Sequence, residues 1–299
     1  MRAIGLDGRA VLPLIVGFGC NVPALAATRT LPNARQRLLT GLLVPYTSCT
    51  ARLTVYLLLA NIFFPGDAGT VVFAMYLLSV LFVVGGGLLL RGTMFRDLRR
   101  EPLALVLPSY QRPALRPLLL SAWPRVRGFV VKAGRVIVAA LLVIWLLMAI
   151  PVRGAHPVAQ VPVEDSLYGA TATAVAPVLA PAGLDDWHVS AALMAGFVAK
   201  EVVVGSFAQS YAVTAPADPS SAGNLAEQLK QTLTRSSGGE PGVAALALLV
   251  FVLAYTPCLA TVAEQRRMFG RRWAMGSLGV QLVVAWVAAV LVFQVGRLL

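Results

Sequence analysis

The chain has 299 residues, of which 58% are apolar and only 13% charged, with a formal net charge of +12. A water-soluble chain carries roughly a quarter charged residues, so an ordinary soluble domain is excluded and one membrane domain of several spans is expected, each needing about 20 apolar residues. Arginine supplies 22 of the 25 cations, and these lie between apolar runs, which suits anionic headgroups and the positive-inside rule and argues against nucleic-acid binding.

About seven apolar segments follow in order, predicting an all-α polytopic membrane protein. The first, Ala10 to Ala27, is interrupted by Pro13, Gly17, Gly19 and Pro23. Its Ala24-Leu25-Ala26 resembles a cleavage site, but Asp7, Asn21 and the helix breakers make a poor signal-peptide core. The second, Leu38 to Phe64, contains Pro45 and Arg52. The third, Ala68 to Leu90, is uninterrupted until Gly85-Gly86-Gly87. Basic residues from Arg91 to Arg135 then predict a cytoplasmic stretch with an interfacial helix around Pro113 to Val126. The fourth segment is Val136 to Ile150, and residues 151–187 read as an outside loop with a short interfacial helix. The fifth is Val189 to Phe207, followed by a polar loop at 212–242 that is the best candidate for a mobile segment. The sixth, Val243 to Ala263, and seventh, Ala274 to Val295, close the chain.

Charge counting gives no single topology. Alternation from the basic stretch puts the Arg266-to-Arg272 turn outside, whereas the positive-inside rule wants it inside. A re-entrant segment would reconcile the two, provided protein or water shields its backbone.

Two parts of the chain look alike. Gly5-Leu6-Asp7 leads to Gly17-Phe18, as Gly183-Leu184-Asp185 leads to Gly196-Phe197. Pro45-Tyr46-Thr47-Ser48-Cys49 then faces Ala254-Tyr255-Thr256-Pro257-Cys258, both holding Tyr-Thr-x-Cys inside an apolar run. Short apolar words recur by chance in membrane chains, but here the order is kept. This divides the chain into a first gate-like repeat at 1–66, connecting helices at 67–150, the 151–187 loop, and a second repeat with the last span at 188–299. Paired, Gly/Pro-interrupted segments point to a transport site, where a broken helix frees carbonyls for a cation.

Lys200-Glu201 lies in the fifth segment, where each charge costs roughly 2.5–3.5 kcal/mol at a helix centre. It is either a neutral pair locking helices together or the position of a pathway carboxylate, Glu201. Cys20, Cys49 and Cys258 form no C-x-x-C pair, so a disulfide framework is not expected. A buried cysteine is ordinarily a small hydrophobe. These three instead sit beside helix breakers: Cys20 between Gly19 and Asn21-Val22-Pro23, Cys49 after Ser48 with Arg52 on the same helical face, and Cys258 after Pro257. Thiolates suit a transition metal over Na⁺ or Mg²⁺, and softness alone also admits Zn²⁺ or Cu⁺. His156 and His188 read as ordinary loop residues. No P-loop, G-x-S-x-G or H-E-x-x-H word occurs, so neither nucleotide hydrolysis nor intramembrane proteolysis is supported and no enzyme is expected.

Gly17-Phe-Gly-Cys-Asn-Val-Pro23, followed by Ala27-Thr-Arg-Thr30, resembles the first gate motif of the ferrous iron transporter B family (FeoB). Ser48-Cys-Thr-Ala-Arg52, Leu107-Pro-Ser-Tyr-Gln-Arg-Pro113, Gly196-Phe-Val-Ala-Lys-Glu-Val-Val-Val204 and Tyr255-Thr-Pro-Cys-Leu-Ala-Thr261 match in order, so the resemblance covers nearly the whole chain. It implies a bacterial inner-membrane permease for Fe²⁺, with Cys20, Cys49 and Cys258 lining the path and Glu201 beside them. Gly19, Asn21, Pro23, Ser48, Arg52, Lys200 and Pro257 would support the gates. Fe²⁺ is then a transported substrate, and this chain itself needs no cofactor. The family's GTP-binding domain has no counterpart in this sequence, so GTP would act through an N-terminal half on another chain, with a homo-oligomer compatible. The alternatives are a gate-type carrier for another solute, such as a nucleoside, and a non-transporting scaffold or remnant.

Overall fold

The computed structural model describes residues 6–95, 114–152, 161–211 and 223–298. The Leu107–Pro113 word, His156 and residues 96–113 of the basic stretch lie outside these. The described residues form α-helices joined by short turns, and five helical stretches are long and apolar enough to span a bilayer, or six if one bent pair counts as a span.

The first segment folds as α1 (Val11–Gly19) and α2 (Asn21–Ala27), with Cys20 extended between them. Neither is long enough to span. The second folds as α3 (Ala34–Leu43), a 3-10 turn through Pro45, an extended Thr47-Ser48-Cys49, and α4 (Thr50–Phe63). Next comes α5 (Ala68–Thr93). It runs straight through Gly85-Gly86-Gly87, so the expected interruption there is corrected: glycine costs a helix only about 1 kcal/mol, and the flanking apolar residues hold this one.

A second correction concerns α6 (Leu115–Ala149), one continuous helix with Pro124 inside it. The expected interfacial helix and the fourth span are parts of one element. The 151–187 segment contains α7 (Leu167–Leu179), capped by Ser166 and followed by a turn at Gly183, whose φ is +70°. After α7 comes α8 (Trp187–Val198), which Asp186 caps. The α7 unit and α8 meet at 103°, as a broken or re-entrant span would. The fifth segment is not one span: Ala199-Lys200-Glu201 separates α8 from α9 (Val202–Ser210).

Within the stretch read as a polar loop, residues 223–237 form α10 (Gly223–Ser237). Leu225, Leu229 and Leu233 recur every fourth residue and are buried in the main core, which outweighs the polar composition. The chain ends with α11 (Pro241–Ala254), α12 (Leu259–Phe269) and α13 (Arg271–Gly296). Seven apolar segments thus become five or six spans, because the first and fifth segments break into short helices.

The order of elements repeats. A broken helix (α1/α2), a second broken helix (α3/α4) and a long span (α5) recur as α8/α9, α11/α12 and α13. The halves interleave: α2 packs on α12, and α4 packs on both α9 and α11. The core between them is built from Tyr56, Phe207, Leu248, Leu249 and Leu253, with α11 buried on nearly every side.

Arg29, Lys132, Arg135 and Arg267 line a single cavity, so the basic residues of the two halves share one end of the bundle. Helix α6 leaves that end and α11/α12 returns to it.

Candidate functional site

Four breaks interrupt the paired helices, and proline chemistry explains two of them. Pro45 lies in the 3-10 turn that ends α3. Pro257 lacks an N–H and biases the preceding backbone towards extended conformations, so α11 stops at Ala254. Pro23 falls in the first turn of α2, where no donor is lost.

Each break puts a candidate ligand at the same position. Cys20 is the N-cap of α2, Cys49 of α4, Glu201 of α9 and Cys258 of α12. An N-cap side chain ordinarily accepts a backbone N–H from the helix it starts. None of these four makes a side-chain capping bond of that geometry, although the Cys20 thiol lies near the Val22 N–H. Cys258 Sγ lies 3.2 Å from the Thr261 hydroxyl. Cys20 and Glu201 are exposed, while Cys49 and Cys258 are half-buried. Cys20 lies within electrostatic reach of Cys49, Cys258 and Glu201. The breaks therefore gather all four residues into one region. Among the described residues, however, no three His, Cys, Asp or Glu side chains converge tightly enough to hold a metal ion.

Two buried cations organise the region. Arg52 is fully buried. It donates to the carbonyls of Thr47 (2.7 Å) and Pro45 (3.0 Å) in its own repeat and of Tyr255 (3.4 Å) in the other. Its planar fork thus satisfies backbone acceptors freed at two breaks at once. Lys200, only 2% exposed, donates to the Val252 carbonyl at 3.3 Å and sits 4.0 Å from the centroid of the Tyr255 ring. No ion pair joins it to Glu201 among the described residues, so the reading of these two as a mutually neutralising pair is not supported.

Smaller contacts fix the first repeat. Thr47 Oγ1 donates to the Val44 carbonyl (2.7 Å) and lies 3.1 Å from Asn21 Oδ1, tying α2 to the second break. The Ser48 and Tyr56 hydroxyls are 2.8 Å apart. Thr50 Oγ1 donates to the Gly19 carbonyl at 3.1 Å. A methyl group at Gly17 would overlap Thr47 Oγ1, and one at Gly196 would overlap the Tyr255 hydroxyl and Val203. The two glycines of the repeated Gly-Phe word therefore perform the same task, admitting the Tyr-Thr word of their own half. His188 is stacked between Trp187 and Tyr211, away from this region.

Sequence reasoning missed Tyr255, where both cations meet. Its only signal was membership of the repeated Tyr-Thr-x-Cys word. It also missed Thr47 and Tyr56 as partners of Asn21 and Ser48.

Comparison with known proteins identifies the family. The gate model described as "Nucleoside recognition" matches residues 1–63 and 130–272, and the model for the ferrous iron transport protein B C terminus matches 72–125. The chain belongs to the FeoB family. The Fe(2+) transporter FeoB of Legionella pneumophila (strain Lens) is 36% identical over the whole chain, which covers 44% of that protein. FeoB of Methanocaldococcus jannaschii is 35% identical, with 43% of it covered. A transport protein A/FeoB fusion from Porphyromonas gingivalis is 36% identical, with 39% covered. The chain thus spans about two-fifths of these FeoB relatives, in each of which the matched region is part of one longer chain. No solved structure matches it. Family membership and the apolar helices make the chain a multi-pass protein of the inner membrane and a membrane portion of the FeoB type.

Proposed function

We propose that this chain forms the conducting part of an Fe²⁺ transporter, with the ion passing between the two gate repeats. Cys20, Cys49, Cys258 and Glu201 serve as ligands that exchange in turn. One observation carries the reading: all four occupy the N-cap of the second half of a broken helix, and none makes a side-chain capping bond there. Thiolates favour a transition metal, and a carboxylate neighbour suits a divalent one. The absence of a tight cluster fits conduction, since an ion that must leave is better held by successive weak sites. Arg52 and Lys200 hold the breaks open without blocking them, because they spend their donors on carbonyls and a ring. Transport on this reading also calls on parts of FeoB that this chain does not match, including a GTP-binding domain. A nucleoside carrier is disfavoured, since relatives matching the whole length are described as Fe²⁺ transporters.

The test is Fe²⁺ uptake by iron-import-deficient cells producing the chain, with and without an N-terminal FeoB half from a relative. Cys20→Ser and Cys258→Ser should each lower uptake while membrane insertion stays unchanged. Full uptake by the double variant would remove the thiols from the mechanism.

A further inference from the structure

A cavity of about 880 Å³ lies between α2, α6 and α12, and its lining reaches Val22 and Ala260, two residues beyond the breaks at Cys20 and Cys258. Arg29, Lys132, Arg135 and Arg267 line it, with Glu264 as the one acidic lining residue. Glu264 is already engaged: Arg267 donates to both of its oxygens (2.7 and 3.0 Å), and Arg29 lies 3.8 Å away. Lys132 and Arg135 have no acidic partner among the described residues. The lining thus carries four positive charges against one negative, with two cations unmatched. The lining also includes the apolar residues Phe129, Val136 and Ala260.

Depth supports a lipid ligand. Arg135 precedes the apolar half of α6 by one residue, so it sits where hydrocarbon gives way to headgroups. Basic pockets between spans at this level suit anionic headgroups, and the apolar lining residues suit the start of an acyl chain. We propose that this cavity binds the phosphate of an anionic phospholipid, with Lys132 and Arg135 as its principal cations. Its occupant would bridge α6, which otherwise faces outward along most of its length, to the gate helices α2 and α12.

The test uses the purified full chain in detergent micelles, with bound lipid counted by native mass spectrometry. The probes are phosphatidylglycerol, phosphatidylcholine and soluble glycerol phosphate. Phosphatidylglycerol should be retained preferentially. At about fivefold per surface cation, K132Q/R135Q should lower its retention about 25-fold. Ala263→Trp, which fills the cavity without changing charge, should also lower it, whereas R271Q/R272Q, outside the cavity, should not. Displacement of the lipid by glycerol phosphate would keep the phosphate site and assign it a soluble source. Equal retention of both lipids, or wild-type retention by both cavity variants, would overturn the proposal.

Discussion

The two gate repeats share a plan but differ in how they hold their charge. The first uses an arginine whose fork reaches three carbonyls across both repeats. The second uses a lysine with one carbonyl and one aromatic ring. The related tyrosines diverge accordingly. Tyr46 stacks with Phe82 at 6.1 Å in the outer cluster, whereas Tyr255 receives both cations. The difference teaches that pseudosymmetric halves need not divide their labour equally. One half supplies a fork that clamps both repeats, and the other supplies a buried amine held by one carbonyl and one ring.

The largest expected effect breaks the clamp. Arg52→Ala would strand the Pro45, Thr47 and Tyr255 carbonyls, and each buried unsatisfied group costs about 1–3 kcal/mol. A loss of about 3 kcal/mol or more is expected in mixed-micelle unfolding, with Arg52→Lys recovering only part of it because an ammonium lacks the fork. If Arg52→Ala were no less stable than Lys200→Met, the asymmetry between the repeats would collapse.

Next come the paired glycines. Gly17→Ala and Gly196→Ala should each cost about 1–3 kcal/mol through overpacking, while Gly19→Ala, whose added methyl meets nothing within 4 Å, should cost only its small change in backbone propensity. Thr47→Ala should rescue Gly17→Ala and leave Gly196→Ala unrescued. Rescue of both would mean that the glycines act through the helices generally and not through the Tyr-Thr word of their own half.

Much of this was legible in the sequence because each break carries a local signature. Pro45, Pro257 and the glycines around Cys20 are helix breakers whatever surrounds them, and the order of cysteine-bearing words survives without any structure. The Arg52 clamp was not legible: its third acceptor, Tyr255, lies 203 residues away, and no local pattern encodes such a distance. Lys200 read as a partner for Glu201 because adjacency in sequence suggests pairing, yet the turn after α8 sends the two side chains to different surroundings, one buried and one exposed. Helix α10 carried its signal openly in Leu225, Leu229 and Leu233, but the polar composition of the stretch obscured it.

Lys200 gives the third prediction and the sharpest test of the division of labour. Lys200→Met keeps length and apolar contact while removing the ammonium, and it leaves the buried Val252 carbonyl without its lysine donor. Stability should fall by about 1–3 kcal/mol, less than for Arg52→Ala, because one carbonyl is stranded and not three. Fe²⁺ uptake should nonetheless fall, because the charge facing Tyr255 and the cysteine region is gone. A variant that folds but fails to transport would mark the second repeat as the functional half; one as unstable as Arg52→Ala would make Lys200 a second clamp.

The smallest effect lies at Tyr56. Tyr56→Phe removes the partner of the Ser48 hydroxyl and nothing else of comparable size, so a net loss of about 1 kcal/mol is expected. The ring stays buried against the main core, and the neighbouring Cys49 keeps its place at the start of α4. Uptake should hardly change if Arg52 alone sets the second break. A marked fall in uptake at unchanged stability would show that Ser48 also orients Cys49, and would move part of the functional burden back into the first repeat.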